Sequence, residues 1–254
     1  MSLYWIASDS LTLIGRSVRH TLRSIDALIV SIVLPVALLL MFVYVFGGAI
    51  RTGTRYIDYV VPGIILLCAG FGSASTAVSV CNDMTSGAID RFRSLPILSS
   101  AVLVGHVVAG LLRNIVSTSL VLGLALVCGF QPHGGVLAWC GVLGVLVLFM
   151  SAISWLAAAF GLIARNVEAA GAFAFFITFL PYLSSAFVPT RTMPAGLRAV
   201  AEHQPITPIT ETLRGLMMGT HVGANALLAV VWCVGLAAVG CVASAVLFRR
   251  RTAP

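Results

Sequence analysis

The sequence predicts an all-α integral membrane protein: six transmembrane helices, an N-terminal interfacial amphipathic helix, and short outer-leaflet helices between spans five and six. Three observations carry that expectation. The 254 residues are 59% hydrophobic and only 9% charged, with a mean hydropathy of +1.06, whereas soluble domains carry roughly 25% charged residues. Apolar runs of roughly 20 residues recur along the chain, each long enough to cross a hydrocarbon core of about 30 Å. The charge that remains is mostly arginine, gathered in short flanks between those runs.

Residues 11–24 form the first element. Leu11, Ile14, Val18 and Leu22 share one helical face, and Arg16, Arg19 and Arg23 share another. A basic amphipathic helix ahead of a span lies in the headgroup plane; an ordinary juxtamembrane flank is the alternative. The spans then fall at 27–49, 60–80, 107–130, 136–164, 170–188 and 224–248, within a single transmembrane domain over 1–254. Six crossings put both termini on one side. With the N-terminus cytoplasmic, Arg16, Arg19, Arg23, Arg91, Arg93, Arg113, Arg165, Arg249, Arg250 and Arg251 lie inside, and Arg51, Arg55, Arg191, Arg198 and Arg214 outside. That excess follows the positive-inside bias of membrane proteins. No basic region leads into a short apolar core and cleavage site, so the first span is expected to act as its own membrane signal.

The third span requires a correction to its apolar run. Residues 115–130 would reach only about 24 Å at the helical rise, so the helix is expected to begin before Arg113. Arg113 should then sit near the inner boundary, with its guanidinium snorkelling to the headgroups. A functional intramembrane arginine is the alternative.

Between spans five and six lies an external helical hairpin at 189–219, marked by Glu202, Pro205, Pro208, Glu211 and Arg214. Pro189, Pro194, Pro205 and Pro208 cut it into pieces, leaving 194–202 and 209–218 as brief helices. The second carries Ile209, Leu213, Leu216 and Met217 on one side. Neither is long enough to cross, and non-crossing backbone in a bilayer must be buried in protein or line a wet cavity.

Several chemistries are excluded. All 15 basic side chains are arginine, so the GxxxxGK[ST] phosphate loop cannot be present. Cys68, Cys81, Cys128, Cys140, Cys233 and Cys241 form no CxxC or Cys/His spacing and read as small hydrophobes. Asp26 and Asp58 sit at span borders, Glu168 in a short inner turn, and no paired carboxylates share a helix face. Glu202-His203 lacks the HExxH pattern of a zinc site. His20, His106, His133 and His221 are isolated. Catalytic, cofactor and metal residues are therefore expected to be absent. The net charge of +7 is explained by topology control rather than nucleic-acid binding. The two halves do not match, which gives no support to an inverted-repeat carrier.

One loop stands out. "NDMTSGAIDRFRSLP", residues 82–96, lies between spans two and three. Asn82 or Asp83 can cap a helix there, and Pro96 should end it. Ile89, Phe92 and Leu95 make an apolar ridge flanked by Asp90, Arg91 and Arg93. Such a helix suits a groove on another protein or, equally, the inner membrane surface.

"DMTSGAIDRFRSLP" resembles the cytoplasmic loop of the ABC-2 type exporter permeases, particularly the daunorubicin-resistance (DrrB-like) group. The resemblance continues, in order, through "LVGHVVAGLLRN" (103–114), "GLIARNVEAAG" (161–171), "LPYLSSAFVPTRTMP" (180–194) and "QPITPITETLRGLMMG" (204–219). It implies the membrane subunit of an ATP-driven exporter in the bacterial plasma membrane, moving a hydrophobic drug, antibiotic or lipid-like compound outward. It further implies a second permease chain, as homodimer or heterodimer, and two copies of a separate ATP-binding subunit that carry ATP and Mg2+. This chain would bind no cofactor and have no ATPase site of its own. The loop would be the coupling helix, with Asp83, Gly87, Asp90, Arg91, Phe92, Arg93 and Pro96 meeting the ATPase. Candidates for the substrate path are Ser73, Ser75, Thr76 and Ser79 in span two, and Thr178, Tyr182, Ser184 and Ser185 at span five. Small hydroxyl residues also serve close helix packing. The sequence departs from the family's pattern at Ser100 and His106, where arginine is common, at Gly110, where an acid is common, and at Val167, where proline is common. An i,i+4 ion pair between positions 106 and 110 would thereby be lost. Two other classes compete: an ion-coupled secondary carrier, which needs a coupling carboxylate in the membrane, and a non-transporting scaffold, which needs no ATPase partner.

Overall fold

The computed structural model describes residues 25–50, 52–86 and 99–252. The expected interfacial helix at 11–24, and most of the loop at 82–96, lie outside the described residues. Every regular element among those described is helical: α1 (Ile25–Leu40), continued by a π-helical turn (Met41–Phe46), α2 (Tyr56–Thr85), α3 (Ser99–Val127), α4 (Val136–Ile163), α5 (Val167–Phe179), α6 (Ala195–His203), α7 (Ile206–Met218) and α8 (Asn225–Thr252). Four of these, α2, α3, α4 and α8, are long and apolar enough to cross a membrane. Two shorter apolar stretches, Ile32–Phe46 and Val167–Leu183, accompany them. The chain is a multi-pass membrane protein.

The middle of the bundle is α2. Its core residues Val60, Ile64, Ile65, Leu67, Cys68 and Ala69 are fully buried, and it packs against α1, α3, α4 and α5. The α4–α8 seam is the most extensive pairing in the fold. Lipid tails are as apolar as leucine, so the drive for helix pairing here is close packing rather than hydrophobic burial. The glycines at the seams show how close. A Cβ on Gly161 of α4 would lie 2.4 Å from the Ala77 carbonyl oxygen of α2, and one on Gly240 of α8 would lie 2.8 Å from the Leu156 nitrogen of α4. Outward faces carry Val116, Leu120, Leu137, Leu143, Phe175, Phe176, Leu227, Val231 and Val242, all exposed. That belt suits a hydrocarbon solvent.

The two ends of the bundle differ in character. At one end, Arg55 donates to Asp58 (Nε–Oδ2 2.8 Å) and to the Gly129 carbonyl (2.9 Å), while the Gln131 amide donates to Asp58 Oδ1 at 3.2 Å. His133 and Gly134 donate to the Met217 carbonyl, at 3.0 and 2.9 Å, fastening α7 there as well. The opposite end holds the α4–α5 turn, where Asn166 caps α5 by accepting from the Ala169 amide at 2.7 Å. Arg249, Arg250 and Arg251 close α8 at this end, and Arg251 donates to the Ile163 carbonyl at 3.1 Å.

The hairpin helices run Ala195–His203 and Ile206–Met218. Pro208 does not bar the second from starting at Ile206, because it sits in the first turn, where a missing N–H has no intrahelical acceptor to lose. Ile209, Leu213 and Met217 are fully buried, and Gly219, at φ +68°, closes the helix in the left-handed conformation. In the fifth apolar segment α5 ends at Phe179. A 3-10 turn over Leu180–Leu183 follows, and the chain from Ser184 to Pro189 is irregular.

Candidate functional site

Three sets of residues could serve function: the flanks of the charged loop, a polar cluster at mid-bundle, and the seat of the hairpin. At the first, the C-terminal end of α2 and the early part of α3 are joined by Asp83 and His106, whose Oδ2 and Nε2 are 3.0 Å apart and largely sheltered from solvent. The position where the family's pattern has arginine thus still reaches a carboxylate, though one on α2 rather than four residues along its own helix. Thr85 Oγ1 donates to the Cys81 carbonyl at 3.0 Å, and the Ser86 amide to Asn82 O, closing α2. Gly87, Asp90, Arg91, Phe92, Arg93 and Pro96 lie outside the described residues.

The mid-bundle cluster corrects one expectation from the sequence. Arg113 does not snorkel to a boundary. It stands halfway along α3, since that helix begins at Ser99, and its side chain is only 5% exposed. Its Nη2 donates to the Gly72 carbonyl of α2 at 2.9 Å and lies 3.5 Å from Thr76 Oγ1. Asn114 is fully buried beside it. A Cβ on Gly72 would lie 1.5 Å from Asn114 Oδ1, so only glycine admits that amide. Gly110 is similarly close, a Cβ there falling 2.3 Å from Thr76 Oγ1 and 3.7 Å from Ser154 Oγ of α4. Arg113 Nε, both amide atoms of Asn114 and Ser154 Oγ are buried without a hydrogen-bond partner. An apolar groove of about 110 Å³ opens one turn away between α3 and α4.

Among the residues named from sequence as a substrate path, Thr76 alone joins this cluster. Ser73 Oγ bonds the carbonyls of Ala69 and Gly70 on its own helix, and Ser75 Oγ that of Gly72. Ser79 is half-buried on the same helix. Thr178 is buried with its hydroxyl unpartnered. Tyr182 stacks on Phe187 with ring centroids 5.0 Å apart. Ser184 donates to the Pro181 carbonyl at 2.6 Å and accepts from the Ala186 amide.

Ser185 belongs to the hairpin seat. Its carbonyl accepts from Tyr59 Oη and from Arg214 Nη2, each at 2.8 Å. Arg214 Nε donates to the Tyr59 carbonyl at 3.1 Å, Nη1 to Glu211 Oε1 at 2.6 Å, and the guanidinium carbon lies 3.7 Å from the Tyr59 ring centre. One side chain on α7 therefore clasps both α2 and the irregular segment after α5. The Gln204 amide donates to the carbonyls of Leu180 and Leu183. Glu202, by contrast, makes an exposed pair with Arg198 at 2.7 Å. Pro205 precedes α7, and Pro208 accepts from Thr212 Oγ1 at 2.7 Å. An open pocket of about 280 Å³ lies beside the clasp, lined by Thr52, Tyr59, Pro189, Thr190, Arg191, Glu211 and Arg214.

Sequence reasoning missed Asn114, Ser154, Tyr59 and Gln204. Asn114, adjacent to Arg113 inside an apolar run, was the available signal; the others depend on contacts between distant segments.

Residues 9–218 match the ABC-2 type transporter family. The chain belongs to that family. It is 31% identical over 218 residues to the daunorubicin resistance ABC transporter permease protein DrrB1 of Streptomyces coeruleorubidus, covering 82% of this chain and 77% of the relative. It is also 28% identical over 236 residues to the probable doxorubicin resistance ABC transporter permease protein DrrC of Mycobacterium tuberculosis, covering 90% of this chain and 83% of the relative. As an ABC-2 type transporter, the chain supplies a membrane subunit, and the matched residues contain both the loop at 82–96 and the Arg113 cluster.

Proposed function

We propose that this chain is the permease subunit of an ATP-driven exporter that moves a hydrophobic drug or lipid-like compound outward across the bacterial plasma membrane. The observation that carries the reading is the family match over 9–218, together with relatives named as drug-resistance permeases on both counts of coverage. Six crossings are proposed, from the four long helices and the two shorter apolar stretches, with residues 11–24 in the headgroup layer and both termini cytoplasmic. The functional unit then contains a second permease chain and two ATP-binding subunits, which hold the ATP and Mg2+.

The proposed coupling runs through residues 82–96. Asp83, Gly87, Asp90, Arg91, Phe92, Arg93 and Pro96 form the docking piece, with the Phe92 ridge in a groove of the ATPase and the charges at its rim. The Asp83–His106 contact ties the ends of α2 and α3 at the base of that piece. A push on the loop would therefore move two long helices together instead of parting them. ATP binding does work here only if the closed ATPase pair favours one arrangement of the spans over the other, and rigid-body tilting of packed helices is the ordinary form of such a change. The hydroxyls of Ser73, Ser75, Thr76 and Ser79, and of Thr178, Tyr182, Ser184 and Ser185, are proposed to border the substrate's route, with the hairpin from Glu202 to Arg214 at its outer end.

The test is the double variant Arg91→Ala/Phe92→Ala, co-expressed with the ATP-binding subunit. Membrane insertion should be unchanged, while ATPase co-purification and ATP-dependent extrusion of daunorubicin from vesicles should both be lost. Unchanged association together with unchanged extrusion would overturn the coupling role. Transport that an uncoupler abolishes at constant ATP would instead favour a secondary carrier.

A further inference from the structure

Arg113 is a cation near the centre of the bundle, and among the described residues no carboxylate pairs with it. We propose that the seam where α2, α3 and α4 meet at Arg113 is a binding site for an amphiphile bearing one anionic oxygen, a carboxylate or phenolate, on an otherwise apolar body. The head would rest on Arg113, Asn114 and Ser154, and the body in the groove beside them. The inference names the class of compound carried and so rests on the export reading.

Four observations point to this ligand. Arg113 Nε, Asn114 Nδ2 and Ser154 Oγ are buried donors without partners, against one unpartnered carbonyl acceptor, Asn114 Oδ1, so donors outnumber acceptors and the one charge among them is positive. They occupy one level of the bundle. Arg113 Nη2 lies 3.5 Å from Thr76 Oγ1, a Cβ on Gly110 would meet both that hydroxyl and Ser154 Oγ, and Asn114 packs on Gly72, whose carbonyl holds Arg113. The groove starts one turn away: Thr118 and Met150, at its lining, are each four residues from Asn114 and Ser154, about 6 Å along their helices. Its remaining walls, with Ile115, Leu122, Trp139 and Leu146 among them, are apolar except at Ser119.

Water could satisfy the amide and the hydroxyl, but only an anion satisfies the charge as well. The depth of the cluster, near the midpoints of α2 and α3, keeps it out of reach of phospholipid headgroups at either surface. In this structure the seam is closed over the cluster, and the head enters as the seam parts.

The probes are 1-pyrenebutyric acid and its methyl ester, titrated at pH 8 against the full chain in lipid nanodiscs without nucleotide. The wild type should bind the acid about tenfold or more tightly than the ester, the scale of one charge-assisted interaction. Arg113→Met should erase that preference with ester affinity and thermal midpoint unchanged. Trp139→Ala should weaken both probes and keep their ratio. Arg113→Lys, which keeps the charge but not the planar fork, should weaken acid binding alone and covers the case in which Arg113→Met does not fold. A preference for the acid that survives Arg113→Met, parallel loss of acid and ester in that variant, or unchanged acid affinity in Arg113→Lys would each overturn the proposal. Because no ATP enters the assay, selective binding of the acid by a chain that exports nothing would count against the export reading and leave this site standing.

Discussion

At the residue scale, the seam around Gly72 shows how little room the centre of the bundle has. An alanine at a helical glycine normally gains stability, by roughly 0.5–1 kcal/mol. At Gly72 the new Cβ would fall 1.5 Å from Asn114 Oδ1, inside a fully buried amide. Overpacking of that kind costs roughly 1–3 kcal/mol, which exceeds the helical gain, so Gly72→Ala should lower the thermal midpoint in detergent. Gly144→Ala is the control: nothing lies within 4 Å of its Cβ, and its midpoint should stay level or rise slightly. The same scale shows where sequence reasoning failed. The apolar run after Arg113 is too short to span alone, and arginines at such edges ordinarily snorkel. Residues from Ser99 onward are apolar enough to extend the helix on the other side, and that moves Arg113 from the edge to the middle. Hydropathy reports that a stretch is apolar, and it does not report where along a helix the stretch is centred.

Among the elements, the hairpin depends on the clasp made by Arg214. This guanidinium donates to two backbone carbonyls and one carboxylate and covers the Tyr59 ring. Hydrogen bonds to charged groups are worth roughly 1.5–3 kcal/mol each when buried, and partial exposure of the clasp reduces that. Arg214→Ala should therefore loosen the hairpin locally by about 1–3 kcal/mol, within the usual range for a broken polar network. Amide hydrogen exchange should accelerate over Ala195–Met218, while the α4–α8 seam stays protected. Arg198→Ala should leave exchange in the same segment nearly unchanged, since an exposed i,i+4 pair contributes only about 0.3–0.5 kcal/mol. The hairpin itself was legible from its prolines and from the apolar spacing of Ile209, Leu213 and Met217. Its anchoring was not, because the Tyr59 and Ser185 carbonyls that hold Arg214 belong to segments far away in sequence.

At the scale of the whole molecule, the contacts sort the chain's turns into two groups. Residues 52–55, 128–135 and 184–223 meet at one end; at the other, the last turns of α2 meet the α4–α5 turn through Cys81 and the Ala164 carbonyl, and Arg251 joins them at Ile163. The proposed topology, drawn from the arginine bias of the sequence, puts the second group in the cytoplasm, and the packing independently requires that each group stay together on one side. Single cysteines introduced after replacing Cys140 and Cys241, the exposed native thiols, can read this out. In intact cells, a membrane-impermeant maleimide should label Thr54→Cys and Thr220→Cys, and should label Ser86→Cys only after permeabilisation. The reverse pattern would invert the topology and put the loop at 82–96 beyond the reach of any cytoplasmic ATPase. A mixed pattern, with Thr54→Cys and Thr220→Cys on opposite sides, would break the crossing count itself, because the Arg214 clasp fastens α7 to the start of α2 at one end.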